Sequence, residues 1–262
     1  MTGPSIQTID CRLACEIVPP VARCTLRNAP LNVIDIPLME EFGRALSEIE
    51  GRSDVFLVVV SGQGKAFSAG VEVAAHTPDK VDRMLSKFHG VIRALVSTPK
   101  VTIAKVHGYC LGGGAELAML SDFVITTDDA QWGFPEIKLG CYPPVASTAL
   151  AALVGHKRAA ELILTGRAIS GREAAGIGLA TRAVPSPELE NAVEDSIDQL
   201  KQLSPAALAM AKKAFYGWDS MHFDKGLGRA ERVYCEELMK TDDAQEGIRA
   251  FLEKRDPKWT GR

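Results

Sequence analysis

Several features that mark specialised protein classes are missing from this sequence of 262 residues. Its six cysteines form no CxxC pair, so no zinc ribbon or thioredoxin-type site is predicted, and a chain of this size does not need disulfides. The longest apolar run, VFLVVV at 55–60, is far shorter than the ~18 residues that span a bilayer. The N-terminus lacks the charged and apolar regions of a signal peptide. We therefore expect a reduced, cytoplasmic protein without a membrane partner.

An excess of charge of one sign is also absent. The chain has 30 Lys and Arg residues against 33 Asp and Glu residues, a formal net charge of −3, and no basic stripe. Nucleic-acid binding requires concentrated positive charge, so nucleic acid is not an expected partner. No histidine spacing such as HExxH occurs, and neither GxxxxGK[ST] nor an early GxGxxG is present. No metal site and no nucleotide cofactor are predicted.

Hydrophobic periodicity divides the sequence into two parts. In the first, strand-like runs alternate with helical patterns: the predicted strands are 11–19, 21–28, 55–62, 101–108 and 123–128, and the predicted helices are 37–50, 79–97 and 115–122. Runs that are apolar on both faces favour an α/β sheet covered on both sides. From about 145 the pattern is almost wholly helical, with helices predicted at 186–202, 204–217 and 228–254. We place a boundary near 200, between a core, 1–200, and a helical C-terminal region, 201–262.

Two glycine-containing loops each follow a buried strand. GYCLGGG, at 108–114, leads into the short helix, and KAFSAGVEV, at 65–73, contains Gly70. Glycine allows left-handed backbone and close approach to a ligand, and a helix start presents unpaired N–H groups. Taken alone, the first loop is better explained as a tight turn packed in the core. As a pair, the loops supply the two backbone donors that an oxyanion hole needs.

Two glutamates lie close to these loops in the sequence. Glu116 is in the first turn of the short helix, and Glu136 follows a proline in GFPEIKLG. A glutamate in a first turn is often only a capping residue, and one in a loop is often only solvated. Both, however, stand in stretches that are poor in charge. An apolar setting favours the acid form of a carboxyl group, which is what a proton donor near neutral pH requires.

These segments, taken in order, resemble the crotonase (enoyl-CoA hydratase) superfamily. IAKVHGYCLGGGAELAMLSD is similar to its most characteristic segment, FSAGVE to its first oxyanion loop and PEIKLG to its second glutamate loop. The interval of 20 residues between the two glutamates, 136 − 116, and the ending FLEKRDPKWTGR are also similar. The resemblance covers essentially the whole chain. It implies a ββα spiral core with a helical C-terminal region that associates into a homotrimer or homohexamer.

The resemblance also implies residue roles. The amides of Val71 and Gly113 would hold the thioester oxygen, and the backbone carbonyls of Ser68 and Ala69 would contact the adenine of coenzyme A, which is part of the substrate rather than a cofactor. Glu116 would orient or deprotonate a water molecule, and the second glutamate would exchange a proton with carbon. Members that lack one glutamate catalyse other reactions, so retention of both favours hydration.

Two stretches depart from the common hydratase pattern. CYPPVAST, at 141–148, replaces a glycine-rich segment, so the acyl pocket wall near Tyr142, Pro143 and Val145 should be stiffer. The loop 70–90, with His76 and His89 near the pocket mouth, also differs. Both departures resemble the cyclohexa-1,5-dienecarbonyl-CoA hydratases of anaerobic aromatic degradation. The alternatives are a hydratase or isomerase for a linear acyl-CoA and a non-catalytic, RNA-binding crotonase relative.

Other reactive residues carry weaker signals. His107 is interpreted as a packed or hydrogen-bonded core residue. No His/Asp pattern marks Cys110 or Cys141 as a nucleophile, and the context of Ser68 is not GxSxG. Four basic residues are candidates for contact with the phosphates of coenzyme A, although such charges are usually only solvated: Lys157, Arg158, Lys212 and Lys213.

Overall fold

The computed structural model describes residues 12–77, 79–216 and 219–261. In chain order its elements are β1 Leu13–Val18, β2 Val21–Leu26, α1 Ile36–Glu50, β3 Leu57–Gly62, β4 Ala66–Ser68, α2 Val81–Ser97, β5 Val101–Val106, β6 Tyr109–Leu111, α3 Gly113–Met119, β7 Phe123–Thr127, β8 Gln131–Gly133, α4 Pro144–Val154, α5 His156–Thr165, β9 Ile169–Ser170, α6 Gly171–Gly176, β10 Arg182–Val184, α7 Leu189–Lys201, α8 Pro205–Tyr216, α9 Asp219–Arg232 and α10 Asp242–Leu252. Two 3₁₀ turns, Val73–His76 and Pro135–Leu139, lie beside the site described below.

The larger sheet has the strand order β1-β2-β3-β5-β7-β10. All of its neighbours run parallel except β1 and β2, which form an antiparallel hairpin. Val58 and Val60 of β3 belong to a core cluster with residues of α1 and α2, whereas Leu57 and Val59 belong to a second cluster with α7. Successive side chains of a strand point to opposite faces, so this sheet is covered on both sides. The predicted α/β class is confirmed.

A second, smaller sheet has the order β4-β6-β8-β9. Its strands are two or three residues long, and β4 and β6 lie inside segments that the sequence predicted to be loops. β9 and β10 likewise interrupt the region predicted to be almost wholly helical. Strands this short show no period of two, which is why the sequence pattern missed them. The pairing of β4 with β6 brings the two glycine loops side by side.

The C-terminal helices match their predicted positions to within a few residues, except that α9 begins earlier than predicted. α9 contacts α4 and α2, and α10 contacts both 3₁₀ turns. Between them a π-helical turn, Val233–Glu237, buries Tyr234. The boundary near residue 200 stays a prediction. Phe215 and Phe251 are exposed in the single chain, at 74% and 52%, and Trp218, a further aromatic of this region, lies outside the described residues. Within the described ranges, no helix is both long and apolar enough to cross a membrane.

Candidate active site

The two glycine loops touch at positions where only glycine fits. Gly70 has a φ of +107°, and a Cβ atom placed there would lie 3.0 Å from the carbonyl oxygen of Leu111. A Cβ atom at Gly113 would lie 2.6 Å from Cγ2 of Val71. A side chain at either glycine would therefore push the loops apart, which is the physical reason for glycine at both positions.

This contact brings two backbone amides together. A Cβ atom at Gly70 would lie 3.6 Å from the amide nitrogen of Gly113, and one at Gly113 would lie 3.4 Å from the amide nitrogen of Val71. Gly113 is the first residue of α3, where an N–H has no acceptor inside the helix. In the part of the chain that the structure describes, neither amide donates to a backbone carbonyl of a turn, loop or cap. Both donors are available to an oxygen atom in the site.

Ser68 fixes the first loop rather than serving as a nucleophile. Its hydroxyl is fully buried, donates to the carbonyl oxygen of Asn32 at 2.7 Å and accepts from the amide of Gly70 at 3.1 Å. Asn32, at a φ of 53°, donates in turn from its side chain to the carbonyl of Ala66 at 2.7 Å. The sequence analysis did not single out Asn32. Its position in a Pro-Leu-Asn loop could have indicated it, because asparagine tolerates left-handed backbone. Ala69 follows and lines the cavity described next.

Glu116 lies in the first turn of α3 and is only 3% exposed. Its Oε1 accepts two hydrogen bonds, from the amide of Val145 at 2.8 Å and from that of Ala146 at 2.9 Å. Burial raises the pKa of Glu116 from 4.5 to about 7, and the two amide donors oppose this rise because they stabilise the charged form. The carboxyl group is thus held firmly in a chosen orientation and changes its protonation state near neutral pH.

Glu136 reaches the same cavity from the 3₁₀ turn Pro135–Leu139. Its Oε2 is buried without a hydrogen-bond partner, and its Oε1 lies 2.6 Å from where a Cβ atom at Gly112 would stand. Its pKa is raised well above the usual range, first by burial and then by the charge of Glu116. Two neighbouring carboxyl groups with little access to solvent do not readily ionise together, so Glu136 keeps its proton when Glu116 is ionised. Such a pair offers a base and an acid at once.

The cavity beside these groups has a volume of about 80 Å³. Tyr142, Pro144, Tyr234 and Ile248 form part of its wall, and His76 also lines it. The hydroxyl of Tyr142 donates to the carbonyl of Ala230, on α9, at 2.6 Å, which ties the wall to the C-terminal helices.

Two of the predicted wall residues lie elsewhere. Val145 is buried and acts through its amide on Glu116 rather than as cavity lining, and Pro143 is the residue before α4. Neither is among the residues that line the cavity, in which Pro144 takes their place. Prediction from the stretch CYPPVAST thus identified the right segment, whereas the direction of each side chain depended on where α4 begins.

Two cysteine thiols near the site are buried, and one histidine is hydrogen-bonded. The thiol of Cys110 is fully buried and its pKa is raised well above the ordinary value, while burial raises the pKa of Cys141 to about 11. Neither thiol is therefore a ready nucleophile. A nitrogen of His107 lies 2.8 Å from the carbonyl of Gly64, so the predicted hydrogen bond is present, but the residue is half-buried rather than part of the core.

Lys212 does not face the cavity that contains the glutamates. Its ammonium group donates to the carboxylate of Asp122 at 2.7 Å and to a backbone carbonyl, and the side chain is only 9% exposed. It borders a separate space of about 500 Å³ among α4, α8 and α9, which contains neither glutamate. Lys212 is thus one half of a buried ion pair, and its proposed contact with phosphate is not supported. Lys157, Arg158 and Lys213 are exposed. Among the described residues no group of three or more His, Cys, Asp or Glu side chains could hold a metal ion.

Comparison with known proteins agrees with this geometry. The family model described as enoyl-CoA hydratase/isomerase matches residues 16–262. A cyclohexa-1,5-dienecarbonyl-CoA hydratase of Thauera aromatica is 34% identical over 240 residues, which cover 92% of this chain and 93% of the relative. A probable enoyl-CoA hydratase of Mycobacterium bovis is 35% identical over 238 residues, which cover 90% and 92% of the two chains.

The fold has solved counterparts in the same family. The crystal structure of an enoyl-CoA hydratase from Mycobacterium avium subsp. paratuberculosis K-10 superposes with a TM-score of 0.86 at 27% identity, covering 95% of this chain and 98% of the other. The predicted crotonase fold with a helical C-terminal region is confirmed. The chain belongs to the enoyl-CoA hydratase/isomerase family, and the prediction of an enzyme of the hydro-lyase class is confirmed at the level of that family.

Proposed function

We propose that this protein adds water to an α,β-unsaturated acyl-CoA thioester, using Glu116 and Glu136 beside a backbone oxyanion hole. The observation that carries the proposal is the convergence of two carboxyl groups with raised pKa values, buried Glu116 and half-buried Glu136 with its enclosed Oε2, on one cavity next to two amides without a backbone acceptor among the described residues. An acid, a base and a pair of oxyanion donors are the parts that conjugate hydration requires.

In the proposed mechanism the thioester oxygen accepts hydrogen bonds from the amides of Val71 and Gly113. Attack of water on the β carbon moves charge onto that oxygen and forms an enolate. Donors that are already oriented stabilise this charge without reorganisation, and loss of one such donor typically slows catalysis by about 10²–10³-fold. The glycine contacts described above hold both donors in place before substrate arrives.

The glutamates divide the proton transfers. Glu116 uses Oε1 to accept from two backbone amides, which leaves Oε2 for the attacking water. With a pKa of about 7 it is partly ionised at neutral pH and serves as the base. Glu136 keeps its proton, because its pKa is raised further by burial and by the neighbouring charge, and donates it to carbon. General acid–base catalysis of this kind contributes roughly 10²–10⁴-fold.

For the acyl group we propose a cyclic dienoyl thioester, in keeping with the relative from Thauera aromatica. The two prolines that precede and begin α4 stiffen one wall, which suits a rigid ring. A short linear enoyl group is the second candidate, favoured by the cavity volume of about 80 Å³. An apolar cavity of about 150 Å³ holds a benzene ring, so a six-membered ring requires some wall side chains to move.

The binding of coenzyme A and the assembly are part of the same proposal. The backbone carbonyl of Ala69 contacts the adenine, whereas Ser68 has no exposed surface and its carbonyl stays inside the loop; coenzyme A enters only as part of the substrate. The protein works in the cytoplasm as a homotrimer or homohexamer. Exposed aromatic side chains in the C-terminal region, Phe215 and Phe251, support a partner surface of the same chain.

The test is hydration of two thioesters by the purified protein. Crotonyl-CoA and cyclohexa-1,5-dienecarbonyl-CoA are incubated separately, and loss of the conjugated absorbance is followed. We expect turnover of at least one, faster for the ring, and a loss of about 10²–10⁴-fold in kcat for Glu116→Gln or Glu136→Gln. Glu50→Gln, at an exposed position on α1, is the matched control. Persistence of both thioesters, or full activity of the two site variants, would refute the proposal and favour a non-catalytic relative.

A further inference from the structure

A fully buried histidine faces the acyl cavity with one nitrogen unpaired. His89 lies on α2, has no exposed surface and is among the residues that line the cavity with the two glutamates. Its Nε2 is buried and has no hydrogen-bond partner. Buried polar atoms in native proteins are nearly always paired, so an unpaired one in a cavity wall marks a place for a ligand atom.

The other ring nitrogen is held firmly. Nδ1 of His89 lies 2.7 Å from Oε1 of Glu231, on α9, and Arg93 donates to the same oxygen at 3.0 Å. Arg93 also donates to Asp224 at 2.9 Å. The carboxylate accepts the proton of Nδ1, and its pKa is lowered chiefly by this bond. Because this bond engages Nδ1, Nε2 is the ring nitrogen left without a partner in a residue that lines the cavity.

We propose that His89 is a specificity-determining residue whose Nε2 hydrogen-bonds a hydroxyl group on the acyl part of the thioester. The inference rests on the proposed function in taking the acyl group of a coenzyme A thioester as the occupant of the cavity. It adds a residue that distinguishes hydroxyacyl thioesters from hydrocarbon acyl groups of the same skeleton.

The choice of a hydroxyl follows from the protonation of the ring. With a proton held on Nδ1 by Glu231, neutral His89 presents an acceptor at Nε2, and protonated His89 presents a donor there. A hydroxyl group both donates and accepts, so it satisfies Nε2 in either state. A hydrocarbon group satisfies neither, and a site built to pair a substrate hydroxyl discriminates against the analogue that lacks it.

The test measures binding of unreactive thioesters by isothermal titration calorimetry. One pair is pivaloyl-CoA and 3-hydroxypivaloyl-CoA, in which the α carbon carries no hydrogen, so water cannot be eliminated. The other is isobutyryl-CoA and 2-hydroxyisobutyryl-CoA, in which the hydroxyl is one carbon nearer and the carbon that bears it has no hydrogen, so no enolate can form there. For at least one pair we expect the wild-type protein to bind the hydroxyacyl thioester about tenfold more tightly than its hydrocarbon partner.

Two variants assign the preference to the ring nitrogen. His89→Asn keeps a polar atom near the position of Nδ1, facing Glu231, and loses the one at Nε2. His89→Gln places a polar atom near the position of Nε2. We expect the tenfold preference to vanish in His89→Asn and to return in part in His89→Gln, while binding of the hydrocarbon thioester, which reports correct folding, changes less than about threefold.

The outcomes separate this inference from the hydratase proposal. Equal binding within both pairs by the wild-type protein overturns the role of His89, and this result needs no variant to fold. A preference that survives in His89→Asn also overturns it. None of the four probes is hydrated or dehydrated, so their binding does not depend on hydratase activity. If the protein prefers the hydroxyacyl thioesters but leaves crotonyl-CoA and the cyclic diene intact, only the hydratase proposal is contradicted.

Discussion

Replacement of Glu116 by glutamine should stabilise the folded protein at alkaline pH. Burial raises the pKa of this carboxyl from 4.5 to about 7, so the folded state binds its proton more tightly than the unfolded state does. Between these two pH values the folded state holds more protons, and stability falls as the pH rises. Above about pH 7 the whole penalty is present, because the folded protein then contains an ionised, buried carboxylate.

The magnitude follows from the two pKa values of Glu116. The difference between 4.5 and about 7 corresponds to a penalty of about 3 kcal/mol, since each pH unit is worth about 1.36 kcal/mol. Glutamine keeps an oxygen for the amides of Val145 and Ala146 but cannot ionise. Relative to wild type, Glu116→Gln should gain about 3 kcal/mol in free energy of unfolding at pH 8 and less than about 1 kcal/mol at pH 5.

Urea unfolding followed by tryptophan fluorescence, at one protein concentration, measures this difference at both pH values. The pH dependence is decisive, because any constant effect of exchanging a carboxyl for an amide cancels between the two conditions. Glu50→Gln, at an exposed position, should show the same small effect at pH 5 and pH 8. If the stability difference between Glu116→Gln and wild type is equal at the two pH values, the buried, proton-binding carboxyl inferred here is wrong.

Three further substitutions probe other parts of the structure. Gly112→Ala should lower kcat by at least about tenfold with little change in KM, since the added methyl would lie 2.6 Å from Oε1 of Glu136 and displace it; unchanged kcat would contradict this. Lys212→Met should lower the free energy of unfolding in urea by about 3–5 kcal/mol, because it leaves the buried carboxylate of Asp122 without its cation. KM for acyl-CoA should change less than about threefold; a large rise in KM would support the contact with phosphate after all. Trp132→Phe should cost about 1–3 kcal/mol, since its buried indole N–H donates to a threonine hydroxyl at 3.0 Å, and a neutral effect would contradict the importance of that bond.

Local sequence patterns predicted the main elements because those elements are long enough to show a period. α1 and α2 display apolar residues at helical spacing, β3 continues the apolar run VFLVVV, and β5 is a mostly apolar segment of the length of a strand. The strands of the small sheet are too short for any period to appear, so β4 and β6 were predicted to be loops and β9 fell in a region predicted to be helical. Their pairing depends on contacts between distant segments, which no window of sequence contains.

The candidate site divides in the same way. Glycine at 70 and 113 and glutamate at 116 and 136 were chosen from residue type, spacing and resemblance, and the structure brings all four to one cavity. The pairing of His89 with Glu231 joins residues 142 positions apart, so no local pattern could indicate it.

The sequence by itself determined which chemical groups are available and which backbone positions can adopt unusual conformations. Residue type decides whether a side chain can ionise or donate, and glycine decides where two loops can touch. Only the tertiary structure decided which groups meet and how dry their surroundings are. Burial among distant parts of the chain explains three features of the site and its surroundings. They are the raised pKa of Glu116, the ion pair of the Lys212 ammonium group and the unpaired nitrogen of His89. Desolvation depends on every neighbour in space, and those neighbours are set by the fold as a whole.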